Sequence, residues 1–358
     1  MMVTLGERPV ENLAEATPKS VPPATSSREA LLTIEGLTVD FNGLRALRGI
    51  DLTLSPGEAL GIVGESGSGK SVTWLAALGL LPRTASVSGA VRLDGENLLT
   101  VAQTRLDRIR GGRVAMIFQD PSSALNPVIR VGRQIGEVLS RHQGLSGSSV
   151  RGEAKRLLDL VGIPDAARRL DSYPHELSGG QNQRVMIAMA LGGKPDVLVA
   201  DEPTTALDAT IQAQILDLLT TIRRDTGMAL VLISHDLGVV SETCERIAVM
   251  YAGSVVEMAP SELIFAHPEH PYTQGLLAAL PPFTGPLQRL VPIEGQVPEP
   301  ASMPSGCAFA PRCLRRMTVC ESAIPALLRI DADRFSACGV CSAKGREEPK
   351  ELDGGLLA

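Results

Sequence analysis

Residues 64–71 read Gly64-Glu65-Ser66-Gly67-Ser68-Gly69-Lys70-Ser71, and the architecture expected for the chain follows from them. The apolar run at residues 59–63 predicts a short buried strand before them, and residues 72–78 favour a helix after them. A strand, a glycine-rich loop and a helix in this order are the context that a phosphate-binding loop needs. Glycines let successive backbone N–H groups converge on one anion, and the helix N-terminus adds partial positive charge.

Lys70 and Ser71 end the loop with the two side chains that such a site uses. We expect the Lys70 ammonium to reach the β- and γ-phosphates of a nucleotide and the Ser71 hydroxyl to ligate Mg²⁺. The competing interpretation, a glycine-rich turn before an ordinary helix, leaves the spacing and the Lys-Ser ending unexplained. Phe41 lies ahead of the loop, where it could stack on an adenine ring or be an ordinary packing residue at a strand end.

Three predicted buried strands end in polar residues suited to nucleotide chemistry. The strands at residues 114–118, 195–202 and 228–233 end in or are followed by Gln119, by the pair Asp201 and Glu202, and by His235. Gln119 is placed to touch a ligand or its metal. Asp201 can hold Mg²⁺, Glu202 can act as general base on a water, and His235 can sense a γ-phosphate or orient that water. Each of them alone has a plainer explanation at a solvated strand end.

A second glycine-rich stretch, Leu177-Ser178-Gly179-Gly180-Gln181, precedes an apolar run that favours a helix. Ser178 is a good N-cap for that helix, and two glycines at a helix start leave bare N–H groups for an anion. Alone, such a cap is usually only a cap. Asp208 closes the loop at residues 204–208, just before an amphipathic helix.

The composition limits the classes of function. The chain has 358 residues, 44% of them hydrophobic, enough for two or three domains with a substantial core. A net charge of −6 and 3% aromatic residues argue against nucleic-acid binding. No apolar run approaches the ~18 residues of a membrane span, so we expect a soluble chain or one held at a membrane by a partner. Residues 1–28 predict a disordered tail without a secretory signal.

The motifs at residues 64–71, 119, 177–181, 201–202, 208 and 235 occur in the order found in the ATP-binding subunits of ABC transporters, which the chain resembles over roughly residues 31–260. Asn182 is a small departure, since Arg is frequent there. The resemblance implies an α/β fold: a P-loop ABC ATPase core with an antiparallel β subdomain and a helical insertion, plus a small C-terminal cysteine-containing domain. The implied boundaries are a tail at 1–28, an ATPase domain at 29–260 with its insertion at about 122–190, an extension at 261–345 and a flexible tail at 346–358.

The extension narrows the resemblance. Residues 265–277 and 306–313, with Cys320 and Cys338 beyond them, resemble the ATPases of oligopeptide and dipeptide importers. Relatives in that branch import peptides, nickel or related small solutes, and the sequence does not name the solute. The implied partners are a second ATPase subunit, commonly a distinct chain, two membrane permeases and an extracytoplasmic solute-binding protein. The implied location is the cytoplasmic face of the cell membrane.

The resemblance also implies roles for individual residues. Two subunits close head to tail around two ATP molecules, so Ser178, Gly179 and Gly180 serve the partner's ATP. Residues assigned to catalysis are Glu202, His235 and Gln119, and those assigned to Mg²⁺ are Ser71, Gln119 and Asp201. Residues assigned to nucleotide binding outside the phosphate loop are Phe41, Gln119, Ser178, Gly179, Gly180, Gln181 and Asp208. The helical insertion, with Gln119 at its hinge, is expected to contact the permease.

Competing classes with the same motifs predict features that are missing. An ABC ATPase of DNA repair or chromosome work predicts a long coiled-coil insertion, and no heptad run occurs. A translation-associated ABC factor carries two cassettes in one chain, whereas each motif occurs once here. An exporter with a fused membrane domain predicts long apolar spans, and the sequence contains none.

The C-terminal cysteines form a separate motif: Cys307, Cys313, Cys320 and Cys338, with Cys341 as an alternative fourth member. Disulfides are disfavoured in a reducing cytoplasm, and zinc sites usually begin with cysteines two to four residues apart. The intervals here are wider, which suits a [4Fe–4S] cluster, and the resemblance implies the same group. Zinc and ordinary buried thiols remain alternatives, and Cys244 is interpreted as a core residue.

Overall fold

The computed structural model describes residues 30–205, 207–280 and 292–339. The predictions for the tails at residues 1–28 and 346–358, and for Cys341, fall outside the described residues. The strands are β1 Leu32–Phe41, β2 Leu44–Leu54, β3 Ala59–Val63, β4 Ala85–Leu93, β5 Glu96–Asn97, β6 Val114–Ile117, β7 Val197–Asp201, β8 Ala229–Ser234, β9 Arg246–Tyr251, β10 Ser254–Pro260, β11 Leu328–Arg329 and β12 Phe335–Ser336. The helices are α1 Lys70–Ala77, α2 Gln103–Ile109, α3 Pro121–Ala124, α4 Val131–Gln143, α5 Ser148–Leu160, α6 Ala166–Arg169, α7 Gly179–Leu191, α8 Ala209–Thr226, α9 Leu237–Thr243, α10 Ser261–Ala266, α11 Pro271–Ala278 and α12 Val319–Ser322.

The described strands form two sheets. The smaller sheet is antiparallel in the order β2-β1-β4-β5, and the larger runs β11-β12-β10-β9-β3-β8-β7-β6. Strands β9, β3, β8, β7 and β6 of the larger sheet are parallel, and β10, β12 and β11 continue one edge in antiparallel pairing. The predicted fold class, an α/β core with an antiparallel subdomain and a helical insertion, is confirmed.

The central strands are apolar on both faces because both faces of the large sheet are covered. Alternate residues of β3 enter two different cores, since side chains alternate across a strand. Leu60 and Ile62 pack with the small sheet and Trp74 of α1. Ala59 and Val63 pack in the other core with the helical insertion and α8. This two-sided burial produces the short continuous apolar runs that predicted the strands.

The helical insertion packs through apolar residues at helical spacing. Val131, Ile135 and Leu139 of α4 and Leu157 and Leu158 of α5 are buried in the same core as β7 and β8. The helices expected between residues 131 and 177 are therefore α4, α5 and α6, each ending at or near a turn or glycine. The insertion is attached to the sheet through β6 and α7 at its two ends.

The parallel pairing places the predicted functional loops side by side. Val63 of β3 lies opposite Ser234 of β8, and Asp201 of β7 lies opposite Ile233 of β8. Ile117 of β6 in turn lies opposite Ala200. The carboxyl ends of β3, β8, β7 and β6 thus share one edge of the sheet, where ligands bind in open α/β folds.

Several described elements were not expected from the sequence, and three of them matter for how the cores are built. β4 joins the small sheet through pairing of Leu32 with Leu93, and α2 follows it. The third is β12 of the cysteine-containing extension, where Met258 of β10 pairs with Phe335. The extension therefore continues the edge of the large sheet, and Phe335 is buried in the core of the ATPase fold.

Candidate active site

The phosphate loop links the end of β3 to the start of α1, and glycine is required at two of its positions. Gly64 has φ +151° and Gly69 has φ +99°, which L-residues with a side chain rarely adopt. A Cβ atom at Gly64 would lie 2.2 Å from the carbonyl oxygen of Met250, and one at Gly69 would lie 2.6 Å from Leu47 Cδ2. The loop therefore packs against neighbouring backbone and side chains in a turn that depends on these glycines.

Lys70 is buried at the first position of α1 and donates to two carbonyls of its own loop. Its Nζ lies 2.7 Å from the oxygen of Gly64 and 3.0 Å from that of Glu65. Burial lowers the pKa of Lys70, and the carboxylates of Glu202, Asp201 and Glu65 oppose that shift. A desolvated ammonium at the floor of an open cavity favours an anionic ligand.

Asp201 and Ser71 form the candidate Mg²⁺ site. The Asp201 side chain is buried, and burial raises its pKa, with the hydrogen bond from Ser71 acting in the opposite direction and the Glu202 charge adding to the rise. Two adjacent carboxylates carry more negative charge than the nearby Lys70 ammonium offsets, and a divalent cation would supply the difference. These oxygen donors fit Mg²⁺, which commonly takes one or two protein ligands in phosphate sites.

Glu202 lies directly after β7 and receives hydrogen bonds from two side chains. Gln119 Nε2 lies 3.0 Å from its Oε2, and Thr205 Oγ1 lies 2.9 Å from the same oxygen. His235 Nδ1 is 3.3 Å from it, on a side chain that is 64% exposed. The backbone of Glu202 has φ +47°, an uncommon conformation for a residue with a side chain, of the kind that clusters at functional sites.

A cavity of about 240 Å³ lies over the phosphate loop and brings part of the predicted site together. Its lining includes residues 66–72, Gln119 and Glu202. It also includes residues that the sequence analysis missed: Arg45, Ala46, Ala252, Pro298, Pro300 and Met303. These residues carry no local motif, and they reach the cavity only through the hairpin β1–β2, the β9–β10 turn and the extension.

Seven predicted nucleotide-binding positions do not line this cavity: Phe41, Gly64, Ser178, Gly179, Gly180, Gln181 and Asp208. Phe41 pairs with Leu44 at the end of β1 and packs, half-buried, against the core of the small sheet. Asp208 caps α8, where its Oδ1 accepts from the N–H of Ile211 at 3.0 Å. Ser178 and Gln181 cap α7 reciprocally, with Gln181 N–H donating to Ser178 Oγ at 3.3 Å. The roles of these residues toward a nucleotide stay predictions.

The cysteines of the extension converge on a second cavity of about 100 Å³. Its lining includes Cys307, Cys313, Cys320 and Cys338. Burial raises the pKa of the Cys307 and Cys313 thiols, and neighbouring cysteines add to the rise. Within the described ranges, no group of three or more His, Cys, Asp or Glu side chains is arranged to hold a metal ion. Cys244 is buried in the main core, in agreement with its interpretation.

Comparison with known families and proteins decides the classification. Residues 47–205 match the ABC transporter family, and residues 256–320 match the C-terminal region of oligopeptide/dipeptide transporters. A Brucella abortus (strain 2308) protein named for ATP binding in peptide import is 52% identical over 313 residues, covering 86% of this chain and 94% of that protein. The chain belongs to the family of ATP-binding subunits of oligopeptide and dipeptide ABC transporters.

Other relatives agree with this assignment. The dipeptide transport ATP-binding protein DppD of Bacillus subtilis (strain 168) is 47% identical to this ABC ATPase over 303 residues, covering 83% of this chain and 90% of DppD. The solved structure of cbiO1 from Clostridium perfringens, part of the ABC transporter complex cbiONQ, has a TM-score of 0.59 at 28% identity, covering 67% of this chain and 92% of cbiO1. The ATP-binding cassette MJ0796, solved as a dimer bound to ADP and Pi, has a TM-score of 0.58 at 29% identity, covering 64% of this chain and 98% of that structure.

As a member of this family, the chain is an enzyme that hydrolyses ATP. No helix in the described part of the chain is long and apolar enough to cross a membrane.

Proposed function

We propose that this ABC ATPase couples ATP binding and hydrolysis to the uptake of di- or oligopeptides through membrane permeases. The observation that carries the proposal is the meeting of the phosphate loop with Gln119 and Glu202 in one cavity, in a chain whose C-terminal region matches oligopeptide/dipeptide transporters. The relatives named for peptide and dipeptide transport support the choice of solute. Import of nickel or another small solute is the alternative.

Each side chain of the site has its own role in ATP hydrolysis. The loop N–H groups and Lys70 hold the phosphates, because the loop offers a desolvated cation and a helix N-terminus. Glu202 takes the proton of the attacking water, while Gln119 and Thr205 orient its carboxylate. His235 lies at the same oxygen and positions the water. Ser71 and Asp201 would hold Mg²⁺, with Gln119 assigned to the same ion, and the ion would offset phosphate charge when bound.

The second glycine-rich stretch serves the ATP of a neighbouring ATPase subunit. Ser178 to Gly180 form the start of α7 and do not line the cavity of their own phosphate loop. A head-to-tail pair would give each cavity a second set of N–H donors from the partner. The dimeric state of the MJ0796 structure supports such pairing.

The permease contact is assigned to the helical insertion. Gln119 lies in the connection between β6 and α3, so it joins the insertion to the general base. Val128, in the connection between α3 and α4, is apolar and 78% exposed, so its side chain is accessible to a partner. The subunit would then lie on the cytoplasmic face of the membrane, with a solute-binding protein on the other side of the permeases.

For the cysteine cavity we propose a [4Fe–4S] cluster held by Cys307, Cys313, Cys320 and Cys338. Four thiols around one cavity supply the donors that such a cluster needs. A single zinc ion needs its sulfurs about 2.3 Å from one centre, whereas a cluster binds each cysteine at a different iron. A cluster therefore accepts thiols that lie farther apart than those of a zinc site. Its role would be to order the extension.

The transport proposal is tested with the subunit co-purified with its permeases and solute-binding protein. Proteoliposomes of that complex should take up labelled di- or oligopeptides in an ATP-dependent manner, and peptide should stimulate hydrolysis. Equal amounts of complex carrying Lys70→Ala serve as the control without nucleotide binding. Uptake of Ni²⁺ without uptake of peptide would establish the alternative, and neither uptake would refute both.

A further inference from the structure

Glu65 of the phosphate loop is held from two sides by the C-terminal extension. Its backbone N–H donates to the hydroxyl of Tyr272 at 2.8 Å. Its carboxylate forms an ion pair with Arg312, whose Nη1 lies 3.0 Å from Oε2. Tyr272 belongs to α11, and Arg312 ends the 3₁₀ turn Ala310–Arg312, so residues more than 200 positions away fix one loop residue.

The contacts are protected from water. The Arg312 side chain is 6% exposed, and the Glu65 side chain is 29% exposed. Burial raises the pKa of the Tyr272 hydroxyl, and the side chain is fully buried. Removing one member of a buried ion pair leaves the other charge without compensation, so the Glu65 carboxylate would be driven to rearrange if Arg312 were lost.

Arg312 is itself oriented by several groups of the fold. Its Nε donates to the carbonyl of Glu294 at 2.8 Å, and its Nη2 donates to the carbonyl of Ile293 at 3.2 Å. Its guanidinium carbon lies 5.8 Å from the ring centre of Tyr251. This use of several donors in one plane suits arginine and not lysine, because a lysine ammonium cannot reach the carbonyls and the carboxylate in the same fixed geometry.

Glu65, the loop residue that Arg312 and Tyr272 hold, is hydrogen-bonded to Lys70. The carbonyl oxygen of Glu65 accepts a hydrogen bond from Lys70 Nζ, while the N–H of the same residue donates to Tyr272. The extension also reaches the cavity directly, since Pro298, Pro300 and Met303 line it. The extension therefore contributes to the nucleotide site in two ways: it forms part of the cavity wall, and it holds the backbone of the phosphate loop.

We propose that Arg312 and Tyr272 are positioning residues for the nucleotide site, acting through Glu65. They hold the start of the phosphate loop in the conformation that aims its N–H groups and Lys70 at phosphate. The extension is then part of the ATP site of this subunit, in addition to any role in assembly. The proposal rests on the assignment of the loop to ATP binding.

The test uses the full-length subunit and a fluorescent ATP analogue. Arg312→Gln should raise the dissociation constant of the analogue about 5- to 20-fold, which lies at the lower end of typical couplings between linked sites. Arg312→Lys should restore little of the affinity. Tyr272→Phe, which keeps the ring and removes one hydroxyl, should weaken binding less. Arg316→Gln is the control, because Arg316 is 53% exposed and pairs at 3.5 Å with the exposed Glu321.

A double-mutant cycle separates positioning from general destabilisation. If Arg312 acts through Glu65, Arg312→Gln should cause little further loss of affinity in a Glu65→Gln background. Equal losses in both backgrounds, or wild-type affinity of both Arg312→Gln and Tyr272→Phe, would overturn the proposal. Should Arg312→Gln fail to fold, Tyr272→Phe decides. It should weaken binding by a similar factor in the wild-type and Glu65→Gln backgrounds, because Tyr272 accepts from the backbone N–H of Glu65, and wild-type affinity of Tyr272→Phe would overturn the proposal. A wild-type subunit that binds no nucleotide would instead refute the ATPase assignment.

Discussion

Gln119 Nε2 donates to Glu202 Oε2 at 3.0 Å, across 83 positions of sequence. Gln119 follows β6 at the entrance to the helical insertion, and Glu202 follows the neighbouring strand β7. A shift of the insertion relative to the sheet would therefore change the orientation of the carboxylate that is proposed to act on water. This contact offers a short physical route between permease contact and hydrolysis.

Glu202→Gln should bind ATP but hydrolyse it about 10²- to 10⁴-fold more slowly, because the amide cannot take a proton from water. The ATPase pair should remain closed with ATP bound, which size-exclusion chromatography can detect. The measurement is single-turnover hydrolysis, with Glu321→Gln as a control on an exposed carboxylate in the extension. Hydrolysis by Glu202→Gln near the wild-type rate would remove this residue from its role.

Lys70→Ala and Ser178→Arg should fail in different ways. Lys70→Ala removes the buried cation of the subunit's own loop, so nucleotide titration of the isolated subunit should show weakened binding. Ser178→Arg should leave that binding intact and block turnover of the assembled pair, because Ser178 is proposed to serve the other subunit's ATP. Equal loss of binding in both variants would contradict the arrangement in trans.

The sequence predicted the loops at the sheet edge because parallel strands buried on both faces give distinct apolar runs. Glu202 and Gln119 follow such runs closely and Lys70 follows one across the phosphate loop, so their meeting at one edge could be expected. The residues that form the wall of the cavity could not be predicted from the sequence. Pro298 and Arg312 come from an extension without periodic pattern, and they reach the loop through tertiary contacts that no local spacing encodes.

His270 should make the folded chain lose stability as the pH falls. The imidazole is buried, and burial lowers its pKa to about 4, below the value of about 6.5 in the unfolded chain. Between these values the unfolded state binds the extra proton, so stability is fully present above about pH 6.5 and decreases down to about pH 4. The size of the loss is about 3 kcal/mol.

His270→Asn, which retains an N-cap for α11, should flatten this part of the stability curve. Glu257, whose carboxylate accepts from the N–H of His270 at 2.9 Å, has a pKa raised by burial and acts in the opposite direction. Glu257 is present in both proteins, so the difference between their urea unfolding curves at pH 5 and pH 8 isolates His270. Identical pH dependence in the two proteins would show that His270 is not held neutral.

Anaerobically purified subunit should be brown, absorb broadly near ~400 nm and contain iron and acid-labile sulfide, as expected of four cysteines that hold a [4Fe–4S] cluster. Cys320→Ser should lower the iron content and the absorption, because it removes one of the thiols that line the cavity. Cys244→Ala is the control, since Cys244 lies in the main core. Colourless wild-type protein with one zinc ion per chain and no iron would overturn the cluster and leave the ATPase site unaffected.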